Sequence, residues 1–475
     1  MAIQTRAPLD PAHLARLGER IAGELITPVH PDYKTARRVW NGMIDRRPAV
    51  IARCADADDV TVAVRFAAEH DLPLAVRGGG HNVAGTAAVD DGIVIDLSPM
   101  RAVRIDDSRR TVHVEGGATW ADVDGLTTPH GLATPGGVVS ETGVAGLALS
   151  GGVSSQRRLH GMTVDNLVSA EIVLADGRQV HASAEEHADL HWAIRGGGGN
   201  FGIVTSFELR LHQLGPEVFD VNVFYPIDDA AHVLAGWRDA VAGAPDEISS
   251  AGFIWTFPVI PDLPEHLRGV PYVGITAMYA GPVEQGERLL RPLRELSTPL
   301  VDMSGPVPYL DKQRSLDPYF PAGLRYYWKA LYLDGLPDAA VEQTVSWSAR
   351  RPSDRTLVVI RHCGGEMSRV GAEETAFGDR SSQWMLSIDA TWDDPADDER
   401  NIAWTRAYWD DAHRFSQAGK TYFNFPGLLE EGESAVRTSY GANHDRLARI
   451  KAVYDPANLF RLNQNIRPAP REVAA

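Results

Sequence analysis

Cysteine is nearly absent from this 475-residue chain, Cys54 and Cys363 being the only two. No disulfide framework can organise it, and such usage fits a reducing compartment or plain burial in an apolar core. Long apolar runs are missing too, so no stretch reads as a membrane span. Positive charge is the scarcer sign, with 46 Lys and Arg against 63 Asp and Glu for a net of −17, and that leaves no basic footprint for a nucleic-acid backbone. The N-terminal segment has no continuous apolar h-region, so the expectation is a cytoplasmic protein without a secretory signal. Neither G-x-S-x-G nor H-E-x-x-H occurs, which removes the hydrolase-elbow and zinc-protease readings, and no metal site is expected.

What is present is glycine, concentrated in the first half. In AVRGGGHNVAG (Ala75–Gly85) a short apolar strand runs into Arg77, three glycines and His81. Three glycines after a strand suit main-chain N–H groups wrapped around an anion, with the histidine at its rim; a plain turn is the alternative. The loop follows a strand–helix–strand pattern: Ala49–Cys54, a helix capped at Asp56 with Val60, Ala63, Val64 and Ala67 on one face, then Leu72–Val76. Ligands of such units bind beyond the carboxyl ends of the strands. An earlier helix is expected over Pro11–Ile26, another from Thr119 to Gly131, and Ser183–Glu186 reads as a capping box opening a helix to Ile194. Thr134–Gly152 is a second glycine-rich tract, fit either for extended main chain against a planar ligand or for a tightly packed helix start. Gly197–Gly202 satisfies G-x-G-x-x-G, but it follows a helix and opens the strand Ile203–Leu211, the wrong order for a dinucleotide fold, so the NAD reading is set aside.

From Gln213 the glycine tracts end, and eight of the eleven tryptophans fall between there and Gly419. Strand-like blocks (Val218–Phe224, Val273–Met278, Thr356–Cys363, Trp384–Trp392) alternate with helix-like ones (Ala230–Ala240, Pro282–Leu293, Ala339–Ser348, Asp398–Arg414). That alternation indicates an α+β domain with a mostly antiparallel sheet. Aromatics this dense are core, with some available to line a substrate pocket.

Taken in order, RGGGHN (77–82), GLALSGG (146–152), GMTVDN (161–166), RGGGGNFGIVTSFEL (195–209), YFNF (422–425) and KAVYDPANLFRLNQNI (451–466) resemble the FAD-linked oxidases of the vanillyl-alcohol-oxidase superfamily. The nearest likeness is to the berberine-bridge-enzyme-like and 6-hydroxynicotine-oxidase group. The resemblance implies a two-subdomain FAD-binding domain of the PCMH type over 30–212, an α+β substrate-binding domain over 213–419, and a C-terminal return over 420–475 that completes the first. It implies FAD held by a single covalent bond from His81 to the flavin 8α-methyl group. A second, cysteinyl link is not expected, because Val139 stands at the position aligned with that cysteine. Further cofactor contacts implied are Arg77, Gly78, Gly79, Gly80, Asn82 and Gly85 in the first loop, and Thr142, Gly143, Gly146, Leu147, Gly151 and Gly152 in the second. Asp165, Asn166, Gly202, Ile203 and Val204 follow, and Tyr422, Asn424, Asn463 and Asn465 come from the return. Thr142 replaces a branched apolar residue that in relatives bears on oxygen access, so oxidase and dehydrogenase behaviour both stay open.

On the substrate side the resemblance matches Tyr422 to a tyrosine of the family's Y-x-N-[YF] segment. A phenol near pKa 10 needs help to act as a base, and the candidates are Lys329, Tyr326 or Tyr327, and Arg361. Strand alternation puts Val359, Arg361 and Cys363 on one face, and no acid lies between Thr356 and Gly365, which favours Tyr422 as the base. Ser154 and Ser155 suggest a small polar wall beside the flavin, and Arg157 and Arg158 read as surface charges or as a greeting for an acidic substrate. The implied activity is removal of hydride from a CH–OH group of a secondary metabolite or sugar-like molecule, with O2 as second substrate. Oxidation of a CH–NH amine and a flavin-binding protein with little catalysis are the alternatives.

Overall fold

The computed structural model describes residues 9–470 apart from 262, 379 and 417. In its first sheet Val50–Arg53 and Leu74–Arg77 both run parallel to Ile93–Asp96, which lies between them, and Glu24–Ile26 adds an antiparallel edge. The helix Ala57–Glu69 links the outer two parallel strands and is started by Asp56, whose carboxylate accepts from the Asp58 and Asp59 amides. Asp59 is buried and pins the N-terminal segment by accepting from the amides of Ala22, Gly23 and Ala55. This corrects the helix expected over Pro11–Ile26: it ends at Gly18, and Glu24–Ile26 pairs with the sheet instead. A Cβ on Gly23 would stand 1.9 Å from the Arg53 carbonyl oxygen, so this approach requires glycine.

The second sheet is antiparallel, in the spatial order Val103–Asp106, Thr111–Glu115, Ile203–Arg210, Leu167–Val173, Gln179–Ser183. The second glycine tract is irregular chain over 134–143 and then the helix Val144–Leu149. The helix expected from Thr119 is Trp120–Thr127, with Thr119 and Asp122 forming a reciprocal cap. The box foreseen at Ser183–Glu186 opens no helix. Ser183 ends a strand, its hydroxyl is spent on the Glu185 and Glu186 amides, and the helix starts at Ala188 behind His187 at φ 47°.

The third sheet has eight strands, among them Glu217–Pro226, Pro271–Tyr279, Ile248–Thr256, Leu357–His362, Trp384–Trp392 and Arg325–Leu333 in that spatial order. Every pairing in it is antiparallel, as the α+β reading expects. Helices Ala230–Val241, Val283–Arg294, Asp338–Ser348 and Asp398–Ala412 pack on one face, where Trp237, Leu290, Val341 and Tyr408 meet Val223, Ile275, Leu331 and Ile388. Residues one position along the same strands, such as Trp328 and Val359, belong to an aromatic-rich cluster on the opposite face with Trp40, Val83 and Val139 from the glycine-rich half. The two halves therefore meet across this face. Cys54 and Cys363 are buried, unpaired and placed just after strands. Among the described residues no helix is long and apolar enough to cross a membrane, and no group of three or more His, Cys, Asp or Glu is placed to hold a metal ion.

Candidate active site

A long cavity runs between the halves, and its two ends are built differently. One end is main chain. Gly78, Gly79 and Gly80 leave the strand Leu74–Arg77 and lie against Gly143 at the head of the helix Val144–Leu149. A Cβ on Gly79 would come within 2.5 Å of the Gly143 nitrogen, and one on Gly143 within 2.3 Å of the Gly79 nitrogen. A Cβ on Gly146 would meet nothing within 4 Å, and Gly146 lines the cavity. Asn82, Thr142, Leu147, Gly202, Ile203, Val204 and Asn463 line it as well, drawing the three glycine segments and the C-terminal return to one place.

His81 stands where this end meets the rest of the cavity. Its ring stacks on Trp40 at 4.0 Å between centroids, and Trp40 stacks in turn on Tyr326 at 3.6 Å. Trp40 is fixed by its own amide to the Gly80 carbonyl and by its indole N–H to the Phe320 carbonyl. His81 Nε2 is buried without a hydrogen-bond partner, and burial pushes the imidazole down to about 4, so the ring is neutral near pH 7. A neutral ring with an uncommitted nitrogen, a cradle that side chains would block, and the buried unpartnered amide oxygens of Asn82 and Asn463 fit a flavin nucleotide.

The other end is made of side chains from the eight-stranded sheet and the return: Trp328, Leu357, Arg361, Asp389, Tyr422 and Phe425. Asp389 faces Trp328 on one neighbouring strand and Leu357 on the other, so all three project to the same side. Its carboxylate accepts from the Ser387 hydroxyl and lies 3.8 Å from Arg361 Nη2; burial raises its pKa, with the guanidinium opposing. Tyr422 Oη accepts from the Gly152 amide at 2.9 Å and from Asn424 Nδ2 at 2.8 Å. Burial raises its pKa, while those donors and Arg361 pull it down. With both lone pairs committed, the phenol's own proton is left for a ligand. The absence of an acid from Thr356 to Gly365 is thus made good one strand away. Sequence reasoning missed Asp389, and the available signal was a lone carboxylate in the otherwise uncharged strand WMLSIDATW.

Several expected site residues do not reach the cavity lining. Arg77 turns to the Ala36 carbonyl and Asp96. Gly85 makes a turn packed on Ile44. Gly151 and Gly152, at φ 137° and 90°, pack on Tyr422 and Thr163 and so position the phenol. Asp165 pairs with the buried Arg380, and Asn166 ties the His160 and Met162 carbonyls, so GMTVDN is a structural turn. Lys329 and Tyr327 sit on the helix-covered face of their strand. Lys329 pairs with Glu431 over the Trp409 ring, Tyr327 donates to Glu430, and Tyr326 bonds the Pro321 carbonyl. Strand alternation decides this, because Trp328 between them takes the cavity side. Lys329 and Asn465 line a separate cavity instead.

Ser154 also points away: it is fully buried, with its hydroxyl capping the Gln156 amide, and Val153 forms the wall in its place. Arg157 and Arg158 are not surface charges. Arg157 donates to the carbonyls of Ser154, Ser250 and His362, Arg158 to those of Ala244 and Cys363, and together they fasten the glycine-rich half to the large sheet.

Comparison with known proteins agrees with this arrangement. Residues 48–183 match the family described as FAD binding domain, and residues 421–467 the one described as berberine and berberine like. The chain is 33% identical to the FAD-linked oxidoreductase pgmH of Aspergillus terreus over 454 residues, covering 90% of this chain and 89% of the relative. The crystal structure of 6-hydroxy-D-nicotine oxidase from Arthrobacter nicotinovorans superposes with a TM-score of 0.83 at 28% identity, covering 94% of this chain and 98% of that one. A carbohydrate oxidase from Microdochium nivale shares the fold, with a TM-score of 0.83 at 24% identity over 97% of this chain and 100% of that one. With glycine loops, a neutral histidine and a C-terminal return converging on one cavity, and with this likeness along nearly its whole length, the chain belongs to the FAD-linked oxidoreductases of the berberine-bridge-like group.

Proposed function

We propose that the protein removes hydride from a CH–OH carbon of a small molecule, with FAD tethered through His81 and O2 as the final electron acceptor. FAD, when bound, supplies the hydride acceptor. The observation that carries the reading is the pairing, in one cavity, of an uncommitted neutral His81 nitrogen with a buried carboxylate, Asp389, at the far end. Asp389 takes the alcohol proton as the C–H bond breaks: its pKa, lifted by burial, brings it nearer the operating pH than an exposed carboxylate. Tyr422, its oxygen already accepting two N–H bonds, keeps its proton and donates a hydrogen bond to the substrate oxygen, which fixes its direction. This replaces Tyr422 with Asp389 as the base. The aromatic walls keep water out, which strengthens each of these contacts. Amine oxidation is the second reading, favoured by the 28% identity to a hydroxynicotine oxidase along nearly the full chain.

The test has two parts. Acid-precipitated protein is expected to stay yellow, and His81→Ala to lose that colour to the supernatant; free flavin from wild type overturns the tether. Asp389→Asn is expected to slow anaerobic flavin reduction about 10²–10⁴-fold with loading unchanged, the range for a lost general base, and Tyr422→Phe less. An unchanged rate in Asp389→Asn removes it as the base. Stopped-flow reoxidation in air then decides between oxidase and dehydrogenase.

A further inference from the structure

The sheet end of the cavity carries a mismatch within itself. Its walls are Leu316, Phe320, Trp328, Leu357 and Phe425, an apolar and mostly aromatic surface. Set into that surface are two buried donors that no group among the described residues satisfies, Arg361 Nη1 and Trp328 Nε1. Trp328 is 6% exposed and the Arg361 side chain 11%. The Trp328 ring is held edge-on by Trp40, Phe320, Tyr326 and Phe425, and the Arg361 guanidinium lies over the Phe425 ring at 5.5 Å. Arg157 nearby, also buried, satisfies its guanidinium with three carbonyls. A buried donor left unpaired carries a desolvation penalty that a ligand acceptor removes.

We infer that the substrate is a flat aromatic molecule bearing a carbonyl or carboxylate oxygen, held by Arg361 and Trp328 between the aromatic walls, and not a polyol. This rests on the hydride-removal reading of the same site. A sugar presents a hydroxyl on nearly every carbon, and each one laid unpaired on an apolar wall costs free energy. The few polar side chains of this end, Arg361, Asp389, Tyr422 and Asn424, suffice for one acceptor group and one reacting hydroxyl. An aromatic ring stacks on the walls without any polar debt and brings its acceptor to the unpartnered donors.

The experiment is a binding titration of the flavin-loaded enzyme, read by the shift in flavin absorbance and independent of turnover. The probes are 4-hydroxybenzoate and cellobiose. The benzoate is expected to shift the spectrum saturably, with Kd weakened about 30-fold in Arg361→Met and several-fold in Trp328→Phe, which keeps the ring and removes only the N–H; cellobiose is expected to give no shift at the same concentration. Trp328→Phe keeps the question answerable should Arg361→Met not fold. A shift by cellobiose alone, or benzoate binding indifferent to both substitutions, overturns the inference. Reduction of the flavin by cellobiose would overturn it and leave the hydride-removal reading standing. Benzoate binding that depends on Arg361, with no alcohol or amine reducing the flavin, would do the reverse.

Discussion

The two ends of the cavity recognise by different means. At the glycine end the lining comes from short glycine-rich runs, 78–82, 142–143 and 145–147. At the sheet end it comes from side chains brought from strands far apart in sequence, with Trp328, Leu357 and Asp389 meeting through register alone. Main-chain recognition demands glycine where a Cβ would meet a neighbouring main chain. Side-chain recognition demands only that a strand present the right face, so residues there change without disturbing the fold. One end is thus suited to a constant ligand and the other to a variable one.

The sharpest way to break this comparison is at the seam between the glycine loops. Gly143→Val is expected to prevent soluble, flavin-loaded protein from accumulating, because the new Cβ falls on the Gly79 main chain, which cannot yield as a flexible side chain would. Gly146→Leu is the contrast, as its side chain enters open cavity. Thermal stability of the flavin-free protein should hold while flavin content, read by absorbance per protein, falls.

Next come two buried arginines with opposite duties. Arg157→Met strands three carbonyls between the halves and is expected to cost about 3–5 kcal/mol in urea unfolding. Arg361→Met removes a guanidinium with one unpartnered nitrogen and a 3.8 Å approach to Asp389, so its cost should be smaller, about 1–2 kcal/mol, set by the lost counter-charge of that carboxylate. Equal costs would place Arg361 with the framework. On the covered face, Lys329→Met leaves Glu431 without its partner and is expected to cost about 1–2 kcal/mol while flavin reduction proceeds at the wild-type rate. A rate loss there would return Lys329, whose pKa burial lowers to about 8, to the chemistry.

The same contrast explains what could be read before the structure. The glycine segments are legible because close main-chain approach leaves a local signature, and 78–82, 142–143, 145–147 and 202–204 line the cavity. The strand and helix blocks after Gln213 were legible from alternation. Lys329 and Tyr327 were misplaced because a one-residue step along a strand reverses the face, and composition does not say which face the helices cover. Arg157 and Arg158 were misread because the carbonyls that satisfy them, at Ser250, His362, Cys363 and Ala244, lie more than 80 residues away. Asp389 goes unseen because its surroundings, Trp328 and Leu357 across the ladder and Arg361 one strand over, come together only through strand register.

A pH-dependent effect concerns the joint behind the glycine end. Asp124, on the helix Trp120–Thr127, accepts from Gln313 Nε2 on the helix Tyr309–Arg314, and Gln313 also donates to the Gly137 carbonyl in the cavity wall. The other oxygen of Asp124 has no partner, and burial pushes the carboxyl up to about 7. The folded protein then holds a proton that the unfolded chain releases near pH 4, so this group's stabilisation is complete below about pH 4 and is lost as pH rises to 7. That loss is on the order of 4 kcal/mol. Asp124→Asn keeps an acceptor for Gln313 and has no proton to lose. Urea unfolding at pH 5 and pH 8 should show a wild-type decline that the variant lacks. Parallel declines would mean that Asp124 is already ionised in the folded protein, and that the joint holding the glycine end to the large sheet is a charged one.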